Sequence, residues 1–101
     1  MLIGNEKLNI EMIKKELFPV FKKHDVKKAF VYGSVAKKRN NIDSDVDILV
    51  DSRLKGFKFL GLIEDIHNTL NKEVDVIDVS HIRQNSRIVN EIKSSGVLIY
   101  D

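Results

Sequence analysis

Apolar residues recur along this chain with two different periods. Ile10, Ile13, Leu17, Val20 and Phe21 step by three and four, the spacing that gathers side chains on one stripe of a helix. A first amphipathic helix is predicted there, kinked or restarted near Pro19, which lacks a backbone N–H and crowds the preceding turn. From Lys27 to Tyr32 the pattern becomes strand-like, and the apolar run Ala29-Phe30-Val31-Tyr32 ends at Gly33, as in a strand covered on both faces. A polar loop, Lys37 to Asn41, precedes a second strand at Val46 to Val50. Phe57, Leu60, Ile63, Ile66 with His67, and Leu70 mark a second helix, and Val74 to Val79 a third strand. Ser80 is the expected cap of a third helix carrying Ile82, Ile88, Val89 and Ile92, which Gly96 stops before a last strand at Val97 to Tyr100. The order is helix, strand, strand, helix, strand, helix, short strand: an α/β (α+β) module with helices packed on a small sheet.

Composition narrows the field. The 101 residues are expected to form one domain, 1–101. With no cysteine, disulfide scaffolds, thiol nucleophiles and cysteine-based zinc sites are excluded. Hydrophobic residues at 43% and charged residues at 32% are ordinary for a globular protein. The apolar runs are too short to span a membrane and no signal peptide is evident, so a cytoplasmic protein is expected. The formal charge of +2 conceals an asymmetry: residues 14–39 hold nine Lys/Arg against two acids, net +7, and residues 40–78 hold nine acids against four bases, net −5. That order suits an anionic ligand beside a carboxylate cluster. Lys14, Lys15, Lys22 and Lys23, at helical spacing, read as a solvated face. His24 is expected to end the first helix, His67 to pack beside Ile66 and Leu70, and Phe30 and Tyr32 to lie in the core.

The carboxylates carry the chemistry. Asp45-Val46-Asp47-Ile48 puts two acids at i and i+2, on one face of a strand, while Val46, Ile48 and Val50 face the other way. Like charges held so close repel unless a cation lies between them. Hard oxygen donors without cysteine or a nearby histidine favour Mg²⁺ or Mn²⁺ over zinc. Glu73-Val74-Asp75-Val76 repeats the pattern, making Asp75 the third expected ligand, whereas Asp78 points oppositely. Three carboxylates on adjacent strands could hold two ions about 3.5–4 Å apart, the arrangement used in phosphoryl transfer. Upstream, Gly33 lets backbone approach a phosphate closely and Ser34 offers a hydroxyl and an amide.

Tyr32-Gly33-Ser34, a gap of ten residues, and Asp45-Val46-Asp47-Ile48 together resemble the signature of the nucleotidyltransferase superfamily that includes DNA polymerase beta. Val31 to Ala36, Ser44 to Val50 and Glu73 to Ile77 look like the minimal nucleotidyltransferase (MNT) antitoxin family in particular, and the likeness runs from the first helix to Tyr100. The resemblance implies a nucleotidyltransferase fold with a small mixed sheet. It implies that Gly33 and Ser34 hold a nucleotide triphosphate, and that Asp45, Asp47 and Asp75 are catalytic and bind two Mg²⁺ ions. Where relatives often carry Arg or Tyr after Gly-Ser, and Arg-Gly after the alanine, this chain has Val35 and Lys37-Lys38. Lys37 and Lys38 would then meet phosphate as point charges, without arginine's bidentate fork.

The function so implied is Mg²⁺-dependent transfer of AMP from ATP to a hydroxyl, with release of pyrophosphate. Relatives of this core add whole domains for the second substrate, so a partner is expected to supply it. In the resembling family the partner is a HEPN ribonuclease toxin encoded alongside, adenylylated on tyrosine. This chain lacks that toxin's Arg-x₄₋₆-His pattern, which assigns it the antitoxin role. An antitoxin that neutralises by binding alone, with a non-catalytic nucleotide site, is the alternative. A nucleic-acid module using residues 14–39 is disfavoured by the acidic second half and the lack of interleaved aromatics. Homo- and hetero-oligomers both stay open.

Overall fold

The computed structural model describes residues 7–83 and 86–101. Helix α1 (Ile10–Lys23) opens on Asn9, whose side chain accepts from the Met12 amide at 2.9 Å. Strand β1 (Lys28–Tyr32) leads into a single turn of helix, α2 (Gly33–Ala36). Then come β2 (Val46–Asp51), α3 (Phe57–Leu70), β3 (Val74–Asp78), a 3₁₀ turn (Val79–His81), α4 (Arg87–Ser95) and β4 (Val97–Tyr100). The sheet order is β3-β2-β1-β4; β1 is antiparallel to both β2 and β4, and β2 is parallel to β3. A parallel pair needs a crossover, which α3 provides. The sheet is mixed, as expected.

Register assigns each residue to a face. Ala29, Val31, Val46, Ile48, Val50 and Ile99 form the buried side with Ile13, Leu17 and Phe21 of α1 and Leu62, Ile66 and Leu70 of α3. Phe30, Tyr32, Asp47, Leu49, Asp75 and Ile77 occupy the other side, where α4 packs against β1. His24 caps α1, and the Asp65 carboxylate on α3 accepts from its Nε2 at 2.6 Å and from Lys23 Nζ at 3.1 Å, tying the two helices.

Several sequence expectations need correction. Helix α1 runs through Pro19 without restarting; Pro19 and Lys15 are both exposed, so water can reach the carbonyl that loses its helical donor. The inward face of α3 is Leu62, Ile66 and Leu70, whereas Phe57 is 91% and Leu60 58% exposed. Apolar residues surround most of this helix, so its period fits two stripes, and packing against α1 and the sheet selects one. Strand β3 ends at Asp78, not Val79. Ser80 does not cap a helix: it lies in the 3₁₀ turn that Asp78 caps, and α4 starts seven residues later behind Ser86, whose hydroxyl accepts from the Val89 amide at 3.3 Å. Residues 84 and 85, within the helix expected from Ser80, lie outside the described residues. The turn α2 was not anticipated.

Asp78 is 0% exposed and faces the core side, as its odd spacing from Asp75 requires. Its Oδ1 accepts from the Ser52 amide (2.9 Å) and hydroxyl (2.6 Å), and its Oδ2 from the same groups of Ser80 (2.9 and 2.6 Å). Burial pushes its pKa up, but the bonds from Ser52 and Ser80 outweigh burial and hold it at about 2. A pKa lowered on folding stabilises above the unfolded value of 3.8, and that contribution is lost as pH falls through about 2. Asp78→Asn is therefore expected to lose about 2 kcal/mol at pH 7. In urea titrations against pH, the gap to wild type should close between about pH 4 and pH 2; a gap independent of pH would refute the assignment.

Candidate active site

The in-register ladder builds the site. Tyr32 pairs with Asp47 across β1 and β2, and Asp47 with Asp75 across β2 and β3, so three side chains form a row on one sheet face. Neighbouring strands lie about 4.8 Å apart, and neither carboxylate of the row is buried: Asp47 is half-exposed and Asp75 exposed. Asp45 stands immediately before β2, exposed and two residues from Asp47. The adjacency of Asp47 and Asp75 expected from alternation is present.

Gly33 closes one side of the row. Its φ is +74°, and a Cβ there would lie 2.2 Å from Asp47 Oδ2. Only glycine leaves room for that carboxylate while taking the left-handed backbone that turns β1 into α2. The turn is sealed by amide bonds from Lys37 to the Gly33 carbonyl (3.1 Å) and from Arg39 to the Ser34 carbonyl (2.8 Å). Ser34 follows at the start of α2, half-exposed.

Electrostatics link a residue that sequence patterns did not reveal. Burial raises the Asp47 pKa, and Asp75, Asp45 and Glu91 raise it further. The Tyr32 phenol is pushed up to about 12 by burial, then by Asp47, Asp75 and Glu91. Glu91 comes from α4, on this same face, and its Oε1 accepts from Lys37 Nζ at 3.4 Å. Lys37 thus joins the site. Lys38 lines a cavity of about 560 Å³ with Lys7, Asn9, Val35 and Asn40, a lining that includes none of the acidic row. Tyr32 is buried as expected, yet it belongs to the site as well as to the core. Strand alternation could have placed Tyr32 beside Asp47; nothing local could have found Glu91.

The fit to a cation is one of donor type and face. All donors are carboxylate oxygens, two of them directly paired, with a glycine cradle at Asp47. Among the described residues, no group of three or more His, Cys, Asp or Glu side chains is gathered closely enough to hold one ion. The expected three-carboxylate cluster is thus a shared edge rather than a closed cage. Among the same residues, no helix is long and apolar enough to cross a membrane.

The row stands beside a Gly-Ser turn at the end of a strand. The sequence matches the family described as Polymerase beta, Nucleotidyltransferase over residues 15–101, and the chain belongs to it. It is 37% identical over 89 residues, covering 83% of this chain and 95% of the relative, to a Methanocaldococcus jannaschii protein provisionally named protein adenylyltransferase MJ0435. Solved structures share the fold. One provisionally described as a minimal nucleotidyltransferase superposes with a TM-score of 0.72 at 18% identity, covering 91% of this chain and 97% of that one. A toxin-antitoxin structure with AMP-PNP gives 0.71 at 16% identity, over 86% and 72% of the two chains. A complex of tri-AMPylated Shewanella oneidensis HEPN toxin with MNT antitoxin gives 0.66 at 14% identity, over 90% and 71%.

Two left-handed residues give opposite expectations. Gly33→Ala should cost at least about 1–2 kcal/mol from backbone strain alone and displace the Asp47 carboxylate. Lys38 also takes the left-handed backbone, at φ +58°. Lys38→Gly should gain about 0.5–1 kcal/mol, the left-handed penalty less glycine's entropy. Thermal or urea unfolding of both variants checks this, and equal signs would refute it.

Proposed function

We propose that this chain is a Mg²⁺-dependent adenylyltransferase that moves AMP from ATP onto a tyrosine hydroxyl of a HEPN-type toxin encoded beside it, in the cytoplasm, and so acts as its antitoxin. The observation that carries the reading is the in-register pairing of Asp47 with Asp75, led by Asp45 and opened by Gly33. The names of relatives support it: one is a protein adenylyltransferase by name, and another fold neighbour comes from a complex whose HEPN toxin is AMPylated.

The chain's residues divide the work. Gly33 and Ser34 bring backbone and hydroxyl to the triphosphate. Lys37, paired with Glu91, can exchange that carboxylate for phosphate oxygen. Asp45, Asp47 and Asp75 would hold the two ions, with Asp75 nearest the acceptor. Mg²⁺ bound there would neutralise phosphate charge and lower the pKa of the attacking hydroxyl. The acceptor oxygen then forms a bond to the α-phosphorus in line with the leaving group. The bond from the α-phosphorus to the bridging oxygen breaks, pyrophosphate departs, and the hydroxyl proton passes to a carboxylate or water.

With ATP, Mg²⁺ and the neighbouring toxin, wild type should add the mass of AMP to the toxin. Asp45→Asn combined with Asp47→Asn should slow this by more than about a hundredfold, as expected when preorganised charge is removed. Modification at the wild-type rate would overturn the mechanism. Neutralisation by both proteins without modification would favour binding alone. Independently, Asp47→Asn removes one of the repelling charges. It should melt no lower than wild type without metal, yet lose most of the stabilisation that Mg²⁺ with AMP-PNP gives wild type, about 2.7 kcal/mol at a hundredfold excess over Kd. An undiminished response in a thermal-shift titration would show Asp47 to be outside the site.

A further inference from the structure

The loop that delivers Asp45 is held to the domain by an unusual residue. Residues 41–44 close mainly on themselves: the Asn41 amide donates to Ser44 Oγ at 2.9 Å, the Asp43 amide to Asn41 Oδ1 at 2.8 Å, and the Ser44 amide to the Asn41 carbonyl at 3.2 Å. Asn41, Ile42, Asp43 and Asp45 are all exposed, so the loop gains little from packing. Two side-chain bonds tie its ends down. On one side Asn40, itself buried, donates to the Leu8 carbonyl at 2.8 Å. On the other, Lys72 Nζ donates to the Ile42 carbonyl.

Lys72 sits in the turn between α3 and β3 and is only 9% exposed. Burying an ammonium is costly, and a methionine would cover the same surface without that cost. The position holds a cation all the same. Its neighbourhood gives a reason: Lys72 lines a cavity of about 350 Å³ with Asp43, Asp45, His67 and Glu73, and among the described residues it is the only lysine or arginine of that lining, beside three carboxylates. The turn beneath it is closed by hydrogen bonds. The Asn71 amide donates to the His67 carbonyl at 2.8 Å, and His67 Nδ1 meets the Lys72 carbonyl at 2.7 Å. One residue further on, the Glu73 carbonyl accepts from the Val46 amide at 3.1 Å, the bond that begins the β2–β3 ladder.

We propose that Lys72 is a positioning residue: it pins the Ile42 carbonyl to the α3–β3 turn and offsets the surrounding carboxylates, so that Asp45 is held at the entrance of β2 beside Asp47 and Asp75. The role rests on the reading of Asp45 as a metal ligand. Lys72 touches no substrate and acts through the loop.

The test uses the intact chain with Mg²⁺ and AMP-PNP as probes, so it needs no acceptor. Lys72→Met keeps the length and apolar stem of the side chain while removing donor and charge; Lys72→Gln serves as a second loss variant should Met fail to fold. Hydrogen exchange at the amides of residues 41, 43 and 44 should accelerate in the variant while β1 and β2 stay protected. The Mg²⁺ concentration giving half the thermal shift with AMP-PNP should rise by about 10-fold or more, the usual effect of losing a group that orients a metal ligand. Lys72→Arg, which keeps donor and charge, should restore both. Unchanged loop exchange, or an unchanged Mg²⁺ midpoint, would overturn the proposal. A wild type that shows no Mg²⁺ response would instead overturn the metal reading of Asp45, and the positioning role with it.

Discussion

The parallel register between β2 and β3 is the constraint on which the site depends. Asp47 lies opposite Asp75 because Ile48 lies opposite Val76 and Val46 opposite Val74. Val46, Ile48 and Val50 are each buried to 1% exposure or less, and burying such a side chain is worth about 1.5–3 kcal/mol. A slip of one residue would turn all three to the outside. Repulsion between a half-exposed and an exposed carboxylate is smaller than that loss. The core therefore keeps the charges together, and the apolar face sets the spacing of the polar one.

The remaining parts of the site accommodate that enforced crowding. Gly33 removes the Cβ that would strike Asp47. Lys37 brings a cation to Glu91, the α4 carboxylate that acts on the row. Burial by itself already disfavours the Asp47 carboxylate charge, and Asp75, Asp45 and Glu91 add to the effect. A site of this kind has an electrostatic deficit that a divalent cation or its complex with a nucleotide would relieve, and the deficit is created by backbone pairing rather than by any strained contact. Because α4 contributes Glu91 while packing on β1, the C-terminal helix belongs to the site as much as to the fold.

What could be read from sequence was what depends on short-range periodicity. The strands, the adjacency of Asp47 and Asp75, and the opposite orientation of Asp78 all follow from a period of two and a few residues of context. The errors arose where a local rule met a choice that only packing makes. Ser80 has the chemistry of a helix cap, but Asp78 captures both its amide and its hydroxyl first. Phe57 and Leu60 extend a plausible stripe that the helix pairing of α1 with α3 leaves in solvent. Glu91 reaches Lys37 across 54 residues, and no spacing rule connects positions so distant.

The contrast between Asp78 and Asp47 shows how the fold separates a structural acid from a chemical one. They lie on adjacent strands, three residues apart in ladder position, and on opposite faces. Asp78 is fully enclosed and receives four hydrogen bonds, so its charge is stabilised and its pKa falls. Asp47 is more exposed, yet its pKa rises: partial burial disfavours its charge, and the carboxylates of Asp75, Asp45 and Glu91 add to that effect. What decides is whether the protein itself completes the acceptor's coordination: where Ser52 and Ser80 do so, the carboxylate holds the chain together, and where the protein leaves it incomplete, the carboxylate is available to a ligand from outside.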